Sequence, residues 1–278
     1  MPDNIASSTV IYDSSARTPA ALEEALQAWR YRDLIVFLVR RDITARYKRS
    51  VLGVAWTMLN PLGMMIILSI VFSQVFRVAM VNYPGFVLSG LIAWNFFAQA
   101  STAAINSLVW GGDLFTRIYV PRSVFAISAI GTGLINLVLS MVPLLLVMAV
   151  MGIPPHPTLL LAPLVMLFLA LFTLGVGLLI STIGIYFIDV VEMYAILLMA
   201  WMYLTPIIYP LDILPPNVSQ WLQYNPMVHL VGLFRDLVFY GTLPDFISWL
   251  ISFGLAFGMF LLGWLFFTGK ADEFAYRT

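Results

Sequence analysis

Cysteine is absent from the 278 residues. Disulfides and thiolate metal sites are therefore excluded, and the redox compartment is left undecided. Charge is almost as scarce. Asp, Glu, Lys and Arg together make 10% of the chain, where soluble domains carry roughly 25%, so a soluble globule with a polar surface is ruled out. The charges sum to zero, which leaves no general pull toward nucleic acid. Lysine occurs twice, at Lys48 and Lys270, and histidine twice, at His156 and His229. The phosphate-cradling pattern G-x-x-x-x-G-K-[ST] is missing. Lys270 follows Gly269, but Gly263 lies one residue too far back and Ala271 replaces the hydroxyl. A basic N-terminal region followed by an apolar one is lacking too, so no cleaved signal peptide is expected.

Apolar residues fill the space that charge leaves. They make 61% of the chain, and the mean hydropathy is +0.94. Pro84–Val109, Ser123–Met151 and Thr158–Ile188 contain no charge at all. About 20 apolar residues cross a hydrocarbon core as a helix, so each run is long enough. The expected class is an all-α polytopic membrane protein.

Along the chain, residues 1–17 read as a polar, mobile tail, followed by cytoplasmic interface helices over 18–50. Thr18-Pro19 reads as a helix start, with threonine capping and proline at the first helical position, and Glu23 and Glu24 suit its dipole. Asp33–Arg49 is too short to span. Val36, Val39, Ile43 and Tyr47 recur at helical spacing and basic residues gather at its end, which predicts an amphipathic helix in the headgroup plane. A six-span transmembrane domain is expected over 51–278. Its six expected spans are 52–76, 85–109, 123–151, 158–187, 192–210 and 245–268, with a kink at Asn60-Pro61 in the first. Gly254 and Gly258 in the last read as a packing motif.

Residues 211–243 are apolar but broken by Pro215, Pro216 and Pro226. Short re-entrant helices fit that pattern where protein covers the freed backbone; a hairpin lying on the surface is the plainer reading. Orientation follows from the basic residues. Of 14 Lys and Arg, only Arg77 and Arg235 fall on one side, which predicts that both termini, including the tail 269–278, are cytoplasmic.

The expected spans hold no interior Asp, Glu, Lys, Arg or His. Such groups mark proton relays and ion-coupling sites, and no constellation for catalysis is present either. The expectation is a chain that is not an enzyme and has no metal or cofactor of its own; if it carries out active transport, the energy must come from another polypeptide.

Four stretches carry a resemblance. They are RRDITARYKRSVLGVAWTMLNPL (40–62), GDLFTRIYVPRSVFAIS (112–128), WMYLTPIIYPLDILP (201–215) and YNPMVHLVGLFRDLV (224–238). In order and spacing they resemble permease subunits of type-2 ABC exporters for lipid-linked polysaccharides, the O-antigen, teichoic-acid and capsule group. The resemblance covers roughly residues 30–278. It implies two permeases with two ATPase subunits, ATP and Mg²⁺ on the partner, and a glycan threaded between the permeases in a bacterial cytoplasmic (inner) membrane. A homodimer also follows from the narrowness of a single six-helix bundle.

Several residues then gain two readings each. Arg40, Arg41, Arg46, Lys48 and Arg49 either anchor to anionic lipid or recognise a pyrophosphate headgroup at the membrane entrance, for which an arginine fork is suited. In the inner loop 110–122, Asp113, Leu114, Phe115, Thr116, Arg117, Pro121 and Arg122 serve as a topology signal or, by the resemblance, as a coupling helix docked on the ATPase. Trp56, Tyr194, Trp201 and Tyr203 belong to an aromatic belt or packing, or else stack on sugar rings along the glycan path. Pro215, Pro216, Asn225, Pro226, Phe234 and Arg235 correspond to the family's outer gate. The competing functions are a type-2 ABC permease for a drug or small lipid, and a membrane enzyme or scaffold without transport.

Overall fold

The computed structural model describes residues 19–48, 55–72, 82–111 and 120–274. Among the described residues the regular structure is entirely helical. In chain order the helices are α1 (Ala20–Arg30), α2 (Arg32–Tyr47), α3 (Ala55–Ile70), α4 (Tyr83–Val109) and α5 (Ser123–Val150). They continue with α6 (Ala162–Tyr186), α7 (Asp189–Tyr203), α8 (Pro216–Leu222), α9 (Pro226–Arg235) and α10 (Phe246–Phe274). A 3₁₀ turn, Pro157–Leu161, leads into α6, and a π turn, Asp236–Tyr240, closes α9.

Three stretches, Ser123–Val150, Pro157–Tyr186 and Phe246–Ala271, are long and apolar enough to cross a membrane. α4 is of similar length at 27 residues, but Asn95, Gln99 and Asn106 dilute its apolar character. It is also the axis of the bundle. α3, α5, α6, α7 and α9 all pack against it, and Phe86, Leu88, Leu91, Ile92 and Phe97 are enclosed. A helix apolar on most of its circumference buries most of it. α3 runs continuously through Pro61.

α6 and α10 cross at backbone contact. A Cβ built on Gly263 would stand 2.1 Å from the carbonyl oxygen of Gly175, and one on Gly175 2.4 Å from that of Met259. Gly254 and Gly258 have no neighbour within 4 Å of such a Cβ. The G-x-x-x-G spacing is therefore not the packing motif of this helix within the chain; the close approach falls at Gly263, about two and a half turns from Gly254.

The N-terminal helices differ in detail from expectation. Pro19 stands at the N-cap rather than at the first helical position, with no side-chain capping bond. On α2 the inward face carries buried Leu38 and half-buried Val39 and Ile43, whereas Val36 points outward. Val39 meets Gly131, because α2 lies along α5. α1 is tied at both sides. The Ser123 N–H donates to Glu24 at 3.3 Å, and Trp264 Nε1 donates to the Ala21 carbonyl at 3.1 Å.

Candidate functional site

α7 stops at Tyr203 because Pro206 cannot continue its hydrogen-bond ladder. The chain then runs Leu204-Thr205-Pro206-Ile207-Ile208 in non-helical form with Thr205, Ile207 and Ile208 buried. Buried backbone outside a helix must find partners elsewhere. Here side chains supply them, one carbonyl after another. Asn225 Nδ2 donates to the Leu204 carbonyl and to Thr205 Oγ1, both at 3.0 Å. Arg235 Nη1 donates to the Pro206 carbonyl at 3.1 Å and Nη2 to that of Ile207 at 3.4 Å. The Tyr83 hydroxyl donates to the Ile208 carbonyl at 2.6 Å.

The two main donors sit at opposite ends of one short helix. Asn225 is the N-cap of α9, and its Oδ1 accepts from the Met227 N–H at 3.0 Å and from Trp201 Nε1 at 2.8 Å. Arg235 is the last residue of α9. Ten residues of helix are thus stapled at both ends to the same break. The inward face of α9, including Met227, Leu230 and Phe234, fills the space between α4, α6 and α10.

Arg235 is 5% exposed. Burying a guanidinium costs several kcal/mol unless its donors are used. The two carbonyls are joined by the Phe86 ring, 3.7 Å below Cζ, a favourable cation–π placement. Gly90 makes room for the fork: a Cβ there would stand 2.5 Å from Nη2. Lysine, a point charge without a fork, does not satisfy this arrangement.

The family model for the ABC-2 type transporter matches residues 33–239, most of the chain and all of the clamp. The chain belongs to the ABC-2 type transporter family. Among its relatives is the O-antigen export system permease protein RfbA of Myxococcus xanthus, 33% identical over 223 residues, 79% of this chain and 85% of that one. RfbA of Klebsiella pneumoniae is 31% identical over 225 residues, 80% of this chain and 87% of that one. The polysialic acid transport protein KpsM of Escherichia coli is 27% identical over 214 residues, 76% and 83% of the two chains.

The remaining candidate residues of this ABC-2 chain fall in separate places. Pro215 and Pro216 are exposed, Pro215 as the N-cap of α8 and Pro216 as its first residue. Pro226 is half-buried and Phe234 fully buried. Tyr194 is 4% exposed, and its hydroxyl donates to Ser101 Oγ at 2.7 Å. Trp201 lies edge-on to Phe97, with centroids 5.2 Å apart, and to Phe172 and Trp94. Trp56 and Tyr203 stand exposed.

At the other end of the bundle, Arg40 is exposed and Arg41 pairs with Asp42 at 2.8 Å. Arg46 and Lys48 lie at the end of α2. Arg49 and residues 113–117 lie outside the described residues. Pro121 is buried at the entry to α5. Burial draws the Arg122 pKa down, and the Glu24 carboxylate opposes that shift.

Sequence reasoning missed Tyr83 and the run of carbonyls at 204–208. The signal was present: two prolines four apart, Pro206 and Pro210, at the end of an apolar run. Such a run leaves free carbonyls, so nearby fork and amide donors become their natural partners.

Proposed function

We propose that this chain is the membrane-spanning permease of an ATP-driven exporter for a lipid-linked polysaccharide. One observation carries the reading: two O-antigen export permeases match about four-fifths of the chain at above 30% identity. Capsule-type permeases also match over most of its length, which favours a glycan over a drug or small lipid.

In this reading α3, α4, α5, α6 with its 3₁₀ lead-in, α7 and α10 are six spans. α7 has 15 residues, about 22 Å at 1.5 Å per residue, and the clamped segment 204–208 completes its crossing. α9 is re-entrant, and α8 and α9 form the outer gate. The excess of basic residues in 1–53, at Arg117 and Arg122, and in the tail puts both termini in the cytoplasm.

Two copies enclose the path, and each binds one ATPase through the loop around Phe115. No bond chemistry belongs to this chain. ATP-driven closure of the partner shifts the populations of a closed and an open channel. Because Asn225 and Arg235 tie α9 to the end of α7, those elements move together, and motion of α7 reaches the outer gate without a flexible joint.

The test is co-purification with an ABC ATPase subunit from the source cells, followed by ATP hydrolysis in lipid nanodiscs. Stimulation by lipid-linked polysaccharide, and none by small amphiphiles, supports the reading. Solute driven uphill by the purified permease alone on a proton or sodium gradient refutes it.

A further inference from the structure

Two stripes of polar side chains run through the apolar bundle, away from the outer clamp. On α4, Asn95, Gln99, Thr102 and Asn106 recur at spacings of four, three and four, which places them on one helix face. On α5, Ser128, Thr132, Asn136 and Ser140 recur at every fourth residue. Each stripe is about 17 Å long at 1.5 Å per residue.

The two helices touch where Gly133 meets α4, since a Cβ there would lie 2.7 Å from that of Ala100. Beside this contact Gln99, Ser128, Thr132 and Asn136 line a single cleft of about 180 Å³, with Arg41 and Asp42 of α2 also on its wall. Among the described residues the side chains of Asn95, Gln99 and Asn106 make no hydrogen bond, and Gln99 and Asn106 are exposed. An amide facing hydrocarbon costs several kcal/mol. Of the three, Gln99 lines the cleft, and its exposed amide calls for water or a polar ligand there.

Its chemistry selects the ligand. Arg41 and Asp42 neutralise each other at 2.8 Å, and every other polar group lining the cleft is uncharged. The Ser107, Ser128 and Thr132 hydroxyls each donate to a carbonyl of their own helix and keep lone pairs that accept, while the Gln99 amide both donates and accepts. This set complements the hydroxyls of a sugar ring and offers little to an ion. We propose that the α4–α5 furrow is a carbohydrate-binding wall, holding sugar rings of the transported glycan as they pass. The proposal rests on the exporter reading above and adds the contact surface, which is amide and hydroxyl in character.

A chain free of cysteine allows a direct test. Gln99→Cys, Ala103→Cys and, outside the furrow, Val138→Cys variants are each assembled with the ATPase in nanodiscs; Gln99 and Ala103 both line the cleft and are exposed. They are then treated with a charged, membrane-impermeant thiol reagent. Positions 99 and 103 should label about tenfold faster than 138, as a hydrated furrow requires. Lipid-linked polysaccharide extracted from the source cells should slow that labelling severalfold. In the same system Gln99→Leu should raise the glycan concentration for half-maximal ATPase stimulation about fivefold, one lost hydrogen bond.

Equal labelling at all three positions overturns the proposal, because the furrow is then dry. Labelling that glycan leaves unaltered, in a complex whose ATPase glycan does stimulate, overturns it while sparing the exporter reading. Disulfide formation between two copies at position 99 makes the furrow a subunit seam, which also overturns it. If glycan fails to stimulate the unsubstituted complex, the exporter reading falls and this inference falls with it.

Discussion

Arg235 shows how one buried charge can organise a membrane protein without a carboxylate on its fork. Its partners are two carbonyls, a hydroxyl at 3.4 Å and an aromatic face. Removing the fork leaves the Pro206 and Ile207 carbonyls without these donors. Arg235→Ala should cost about 2–4 kcal/mol and lower the melting temperature of the detergent-solubilised permease. Arg235→Lys should recover less than half of that loss, because an ammonium cannot span both carbonyls. Asn225→Ala should cost about 1–3 kcal/mol, combining a lost cap with the contacts to Leu204 and Thr205. Thermal unfolding followed by tryptophan fluorescence measures all three; an unaltered transition in Arg235→Ala would remove the clamp. Tyr194 tests a different point. Its hydroxyl is committed to Ser101 inside the core, so Tyr194→Phe should cost about 1 kcal/mol and leave export at the wild-type rate.

Between helices, contact distance outranks motif spacing. Gly263 stands against the Gly175 backbone, while Gly258 faces open space. Gly263→Ala should force α6 and α10 apart and destabilise the chain by about 1–3 kcal/mol, the usual cost of overpacking. Gly258→Ala should fall within about 0.5 kcal/mol of wild type. Measuring the two variants side by side in the same detergent decides between them; similar losses for both would mean that the crossing is misplaced. The spacing was visible in the sequence, but a G-x-x-x-G read along one helix has no knowledge of which face meets a neighbour. The same limit affected α2, where periodicity nominated Val36 and packing along α5 chose Leu38.

For the whole molecule, the energy source is the decisive property. A chain with no phosphate-binding loop should export only when the separate ATPase is present and ATP is hydrolysed. Cysteines introduced at Phe115 should cross-link to that ATPase, as detected by a shifted band on a non-reducing gel; no cross-link anywhere across 112–119 would remove the proposed coupling loop. The helical class and the membrane setting were legible from composition alone. A chain 61% apolar with long uncharged runs can satisfy its backbone in lipid only as helices or a closed barrel, and the runs have helical length. The family was legible from four short stretches and their order. Other features depended on the tertiary structure. It alone placed Asn225 and Arg235 on one break, and it alone set Gln99 of α4 beside Ser128, Thr132 and Asn136 of α5. Hydropathy depends on each residue's own preference for lipid or water, whereas a clamp or a furrow depends on which residues distant in sequence are brought into contact.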